Sequence, residues 1–169
     1  WSSAQLIMVE QLIMTPLIGL GILLLMNEKH LTRLRILAEE DSLTGLYNRR
    51  AFLQALETAC SQAQTSQQPL AVLIMDVDHF KSINDQYGHS VGDEVLRKIA
   101  AIVSACLRKG DVLGRIGGEE FAIFLPNTDT TTASMVAQRI CTHVHSSPVT
   151  LGPVAMTCSV SIGLSMLKS

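Results

Sequence analysis

The chain has 169 residues, enough for one domain of about 150 residues and a short remainder. Apolar residues make up 47% of it, charged residues only 17%, and the mean hydropathy is +0.30. Soluble domains carry about 25% charged residues, so the apolar excess needs an address; residues 11–27, which contain no ionisable side chain, supply it. The net charge of −2, with no block of like charge, excludes the basic stripe that binds nucleic acid by displacing counterions from phosphates. Cys60, Cys106, Cys141 and Cys158 are scattered, without a C-x-x-C pair. They read as small apolar residues in a reducing compartment, not as a zinc site or a disulfide frame.

Leu6–Met26 is apolar apart from Glu10, Gln11 and Thr15. At 1.5 Å per residue it extends about 31 Å, the depth of a bilayer's hydrocarbon core. Lys29, His30, Arg33 and Arg35 follow it, as on the cytoplasmic side of a span. The sequence therefore predicts a transmembrane helix over 1–27, with a hydrophobic dimerisation helix as the alternative. Residues 28–40 place Leu31, Leu34, Ile36 and Leu37 among charges and predict an amphipathic linker helix, compatible with a two-stranded coiled coil. Asp41–Leu46, with its Asp-Ser and its glycine, breaks that helix.

Beyond residue 41 helix and strand patterns alternate. Asn48–Gln64 repeats Phe52, Leu53, Leu56 and Ala59 at helical spacing, and 65–69 is a polar loop. Leu70–Val77 is a nearly continuous apolar run, as in a strand buried on both faces. His79–Tyr87 reads as a short helix ended by Gly88. Ser90 would cap a longer one whose inner face is Val91, Val95, Leu96, Ile99, Val103 and Cys106, with Gly110 at its C-terminus. Asp111–Ile116 and Glu119–Leu125 read as strands around a two-residue Gly117-Gly118 hairpin. Thr130–His145 is a further helix and Val154–Leu164 a further strand. The pattern predicts an α/β (α+β) domain over 41–169, a mostly antiparallel or mixed sheet with helices packed on it.

Four acids fall where the fold alone does not require them. Asp76 ends the most hydrophobic strand, and Asp78 follows two residues later. An ionised carboxylate beside a core strand must be paired or must bind a cation. Glu119 and Glu120 directly follow the two glycines, and a tight turn needs no acid. If that hairpin lies beside the Asp76 strand, the acids converge into an oxygen-rich pocket suited to Mg²⁺ and substrate phosphates. Gly117 and Gly118 would let backbone N–H groups approach an anion. The alternative is a plain hairpin with solvent-facing acids and an aspartate capping the strand end.

Gly117-Gly-Glu-Glu-Phe121 resembles the signature of the GGDEF family, the bacterial diguanylate cyclases, in its G-G-E-E-F form. Asp41-Ser-Leu-Thr-Gly-Leu-Tyr-Asn-Arg-Arg50 is similar to that family's opening motif. Asp76-Val-Asp-His-Phe-Lys81, Ile83-Asn-Asp85 and Tyr87-Gly-His-x-x-Gly-Asp93 are similar to its central block, and Ser159–Gly163 to its S-x-G strand. The resemblance implies a nucleotidyl-cyclase or polymerase-palm fold, and a homodimer in which each domain holds one GTP to make cyclic di-GMP and two pyrophosphates.

It further implies two Mg²⁺ (or Mn²⁺) ions per site, held by Asp76, the Val77 carbonyl, Glu119 and Glu120, with Glu119 at or beside the base for the ribose 3′-hydroxyl. Lys81 would neutralise phosphate charge. Asn84, Asp93 and His89 would line the guanine pocket, although Asp93 is equally an acid in a helix's first turn. Arg108, Asp111 and Arg139 resemble the family's product-inhibition site. With the predicted span, the whole reads as an enzyme at the bacterial inner membrane, its catalytic domain cytoplasmic. The alternative is a catalytically impaired domain that senses cyclic di-GMP. Family members usually continue past the S-x-G strand into a final helix, and no such pattern follows Gly163, which implies a domain without it.

Overall fold

The apolar run Leu70–Val77 forms an interior strand of the sheet, paired on both sides. The computed structural model describes residues 39–151 and 154–167. The predicted span, and the linker helix apart from Glu39 and Glu40, lie outside the described residues. Among the described residues no helix is long and apolar enough to cross a membrane.

The elements run β1 (Tyr47–Asn48), α1 (Arg49–Ser66), β2 (Leu70–Val77), α2 (Phe80–Tyr87), α3 (His89–Ala105), β3 (Val112–Arg115), β4 (Glu120–Pro126), α4 (Thr130–Ser146), β5 (Val149–Leu151), β6 (Val154–Met156) and β7 (Val160–Met166). The main sheet has the order β1-β3-β4-β2-β7, and β5-β6 is a separate hairpin. Only β1–β3 is parallel; the other pairs are antiparallel. The mixed sheet with flanking helices agrees with the predicted class.

Alternation along β2 sends side chains to two helical layers. Ala71, Leu73, Met75 and Val77 join Val95, Leu96, Ile99 and Val103 of α3 and Ile140 and Val144 of α4 in the larger core. On the other face α1 packs Phe52 and Ala63 on Leu70, Ala122 and Phe124, with the Phe52 and Phe124 rings 5.5 Å apart. That face is covered less completely, since Leu53 and Ile74 remain exposed. Side chains close two helix starts: Asn48 accepts from the Ala51 N–H at 3.0 Å, and Asp129 from the Thr132 N–H at 2.7 Å. Cys106 and Cys158 are buried, all four cysteines are free, and burial pushes the thiols of Cys106, Cys141 and Cys158 up. These thiols behave as small apolar groups, as expected.

Four local expectations are corrected. Ser90 does not cap α3: Gly88, at φ 87°, ends α2 and begins α3 in a single residue. Gly110 does not end α3, which stops at Ala105; its φ of 104° serves the Arg108–Asp111 turn, closed by the Asp111 N–H on the Arg108 carbonyl at 3.1 Å. The glycine-pair loop has four residues, 116–119, because the Ile116 and Gly117 N–H groups both donate to the Glu120 carbonyl. Val154–Leu164 is not one strand. β6 pairs with β5 whereas β7 pairs with β2, so the chain must turn between Met156 and Val160.

Gly114 on β3 is buried against Phe52; a β-carbon there would stand 2.8 Å from Cδ2 and 2.9 Å from Cβ of that residue. Gly114→Ala is expected to cost about 1–3 kcal/mol through overpacking, read as a lower urea midpoint. An unchanged midpoint would show that α1 moves away freely.

Candidate active site

Register brings the acids together. Asp76 on β2 is the Cα partner of Glu120 on β4, and the Val77 N–H donates to the Glu119 carbonyl at 3.3 Å. Directly opposed residues on neighbouring strands hold their Cβ atoms about 5 Å apart, so Asp76 and Glu120 project side by side, with Glu119 in the adjoining turn. No hydrogen bond or ion pair among the described residues engages the carboxylates of these three. Gly117 makes room for one of them, since a β-carbon there would lie 2.3 Å from Glu120 Oε2. The Glu120 carboxylate is thus folded back over the glycine turn.

Among the described residues no group of three or more acidic, histidine or cysteine side chains is placed to hold a metal ion. The donor set nevertheless fits a hard divalent cation, because Mg²⁺ commonly takes one or two carboxylates and fills its shell with water and phosphate oxygens. Asp76, Glu119, Glu120 and the Val77 carbonyl are the oxygens available to it.

A second group of predicted residues lies on α2 and α3. Lys81 is exposed in the first turn of α2, and His89 is exposed at the first position of α3. Asn84 and Asp93 are half-buried. The Asn84 amide rests on the bare Cα of Gly92: a β-carbon there would come 2.0 Å from Oδ1 and 3.1 Å from Phe80 Cζ. That Oδ1 is buried and has no hydrogen-bond partner. An orphaned buried acceptor costs about 1–3 kcal/mol. Packing on Gly92 holds the amide in place, with Oδ1 turned into the protein and unpaired. The Gly92 requirement is a positioning feature that the sequence pattern alone does not explain.

Arg108, Asp111 and Arg139 form a separate cluster. Asp111 takes the Arg108 backbone N–H at 3.0 Å and Nε at 3.2 Å, while Arg108 Nη2 donates to the Pro126 carbonyl at 2.7 Å and Thr128 Oγ1 at 2.8 Å. These bonds fix the guanidinium and leave Nη1 for a ligand. Arg139 Nη2 donates to the Cys106 carbonyl at 2.6 Å, and both arginines line a cavity of about 320 Å³ with His143.

Two connections escape sequence reasoning. Arg115 Nη1 donates to Asp41 Oδ1 and Oδ2 at 3.0 and 3.2 Å, and its Nε and Nη2 donate to the Gly118 carbonyl at 3.2 and 2.8 Å. The opening D-S-L-T turn is thereby tied to the glycine loop across 74 residues. Asp41 Oδ1 also accepts from the Thr44 N–H and hydroxyl, at 3.0 and 2.7 Å; that local D-x-x-T pattern is a readable turn signal, but its arginine partner is not. Burial pushes the Asp41 carboxyl up, yet the hydrogen bonds from Thr44 and Arg115 outweigh it and hold the group below the ordinary range. The second connection is Asp78, whose carboxyl is lowered by hydrogen bonds from Ser159 and Ser161.

The model of the diguanylate cyclase GGDEF domain matches residues 38–169. The chain belongs to the GGDEF family. It is 41% identical over 131 residues to the response regulator PleD of Caulobacter vibrioides, covering 76% of this chain and 29% of PleD. It is 37% identical over 134 residues to the cyclic di-GMP phosphodiesterase PdeR of Escherichia coli, covering 79% of this chain and 20% of PdeR. The chain thus spans less than a third of the length of these relatives. Among solved structures it resembles the coiled coil and GGDEF domain of DgcB from Caulobacter crescentus in complex with c-di-GMP, with a TM-score of 0.85 and 28% identity, covering 91% of this chain and 82% of that one. Family membership supports nucleotidyl cyclase chemistry as a class.

Two outcomes follow for this GGDEF domain. Gly92→Ala should cost about 1–3 kcal/mol of stability through overpacking, read as a lower urea midpoint, and should cost less on an Asn84→Ala background, where the amide it would strike is gone. Asp41 has a depressed folded-state pKa, so its stabilisation is complete above the ordinary carboxyl pKa of about 4 and fades as pH falls through the folded value. The melting temperatures of wild type and Asp41→Asn should differ near neutral pH and converge in strong acid; an equal gap at every pH would remove the ion pair from the explanation.

Proposed function

We propose that the chain is a diguanylate cyclase, condensing two GTP into cyclic di-GMP with release of two pyrophosphates. The observation that carries this reading is the Asp76–Glu120 register with Glu119 beside it: carboxylates without a protein partner among the described residues, at a turn built on two glycines. No structural need of the hairpin accounts for that concentration of negative charge, whereas a cation-bridged triphosphate does.

Asp76, the Val77 carbonyl, Glu119 and Glu120 would hold Mg²⁺ or Mn²⁺, two ions per site. A divalent ion bound there supplies Lewis acidity toward the phosphates and toward the attacking hydroxyl. Glu119 accepts the proton of the ribose 3′-hydroxyl as that oxygen attacks the α-phosphorus of the other GTP. Lys81 offsets charge developing on the phosphates, and Gly117 and Gly118 admit the chain of phosphates close to the backbone. Asn84 and Asp93 hydrogen-bond the guanine edge, with His89 at the same pocket. A carboxylate at Asp93 accepts from the guanine N–H donors and is left unpaired by adenine, which selects GTP.

Each chain carries one set of these groups and the reaction joins two nucleotides, so two copies face each other as a homodimer. We place Leu6–Met26 in the bacterial inner membrane with the catalytic domain on the cytoplasmic side, following the basic residues after that run. Arg108, Asp111 and Arg139 take the product as an inhibitor: the free Nη1 of Arg108 suits a phosphate oxygen or a guanine acceptor.

Incubating the full chain with GTP and Mg²⁺ tests the reading by pyrophosphate release. Glu119→Ala is expected to lose about 100-fold or more. Arg108→Ala is expected to keep the initial rate and lose inhibition by added cyclic di-GMP. Absence of turnover together with tight cyclic di-GMP binding would replace the enzyme by a sensor.

A further inference from the structure

Asp78 takes no part in the proposed chemistry, yet it is more firmly held than any acid of the site. Ser159 Oγ donates to its Oδ2 at 2.6 Å and Ser161 Oγ to its Oδ1 at 2.7 Å, across 81 and 83 residues of sequence. Its own N–H donates to the Ser159 carbonyl at 3.0 Å. These bonds carry the β2–β7 ladder past the last registered pair, Val77↔Val160. Immediately beyond, His79 adopts φ 57° and starts α2 without a side-chain cap. A non-glycine residue in the left-handed region is held there by its surroundings, and α2 carries Lys81 and Asn84.

The same register explains what Asp78 does for Asp76. Ser161 is the Cα partner of Asp76, opposite Glu120 on the other side. From that position its side chain stands on the same face of the sheet as the Asp76 carboxylate. It donates instead to Asp78, and the Asp76 oxygens have no hydrogen-bond partner among the described residues. Both Asp78 oxygens are already engaged, so a cation gains little there, while both Asp76 oxygens are open.

We propose that Asp78 is a positioning residue: by taking the hydroxyls of Ser159 and Ser161 it locks the β2–α2 turn onto β7 and leaves Asp76 unshared for a divalent cation. This rests on the reading of Asp76 as a cation ligand. A tie that only stabilises the fold would change unfolding and every ligand alike. A positioning role changes the cation and nucleotide site and leaves the Arg108 cluster untouched.

The probe is Mn²⁺, titrated by electron paramagnetic resonance into the full chain with a GTP analogue bearing a methylene bridge between the α- and β-phosphates. Asp78→Ala should weaken Mn²⁺ binding about tenfold, because it loosens the turn and releases Ser161 to Asp76; the Ser159→Ala/Ser161→Ala pair, which loses only the tie on the turn, should weaken it less, and Asp78→Ala should add nothing on the serine-free background. Ser159→Thr/Ser161→Thr keeps the hydroxyls on a strand-compatible side chain and should restore wild-type affinity. Binding of cyclic di-GMP, by calorimetry, should stay unchanged throughout. Should Asp78→Ala not fold, the serine pair carries the test with Asp78 in place. Unchanged Mn²⁺ affinity in a folded serine pair, or equal losses of Mn²⁺ and cyclic di-GMP binding, overturns the proposal. Asp76→Asn separates the two readings: if it binds Mn²⁺ like wild type, the cation-site reading has failed; if it loses Mn²⁺ while the serine pair does not, only the role of Asp78 has.

Discussion

The register of β2 between β4 and β7 is the constraint from which the site follows. One row of residues, Glu120, Asp76 and Ser161, crosses three strands, and a slip by one residue in either ladder would send Asp76 to the opposite face from its partners. The register is protected by the core beneath it. Leu73, Met75 and Val77 alternate into the larger cluster with Ile99, Phe121 and Ile123, so a one-residue slip would turn these apolar side chains out of the core. The energy that sets the acids side by side is therefore hydrophobic and lies in residues that never meet a ligand.

Around that row, the site is completed by space withheld as much as by groups supplied. Gly117 yields its side-chain volume to the Glu120 carboxylate, and Gly92 to the Asn84 amide. In both cases a missing β-carbon decides where a polar group stands. Charge is managed by separation: Arg115 spends its donors on Asp41 and the Gly118 carbonyl, and Arg108 most of its own on Asp111, Pro126 and Thr128. Neither cation neutralises the acidic row. Asp78 is satisfied by neutral hydroxyls, so it adds a rigid contact without bringing a positive group near Asp76.

Much of this was legible before any coordinates. The bounds of β2 could be read from its nearly continuous apolar run, α1 and α4 from their periodicity, and the acids from their poor fit to the segments carrying them. What was not legible falls into two kinds. Local punctuation was misread where one residue does two tasks, as Gly88 does between α2 and α3, or where a glycine with positive φ serves a turn, as Gly110 does. Long-range pairing was invisible in principle. Nothing near Arg115 announces Asp41, and nothing near Asp78 announces two serines more than 80 residues away. The split of Val154–Leu164 belongs with these, because only partner choice shows that β6 and β7 serve different ladders.

The two rims of the main sheet are finished differently. On one, the two residues of β1 lie parallel along β3 and shield its backbone. On the other, β7 has β2 as its neighbour on one side and, among the described residues, none on the other. Its seven residues include neither a charge nor a proline, the two devices that discourage strands from zipping onto one another. Among the described residues, the outer edge of β7 is therefore a place where a further strand can pair.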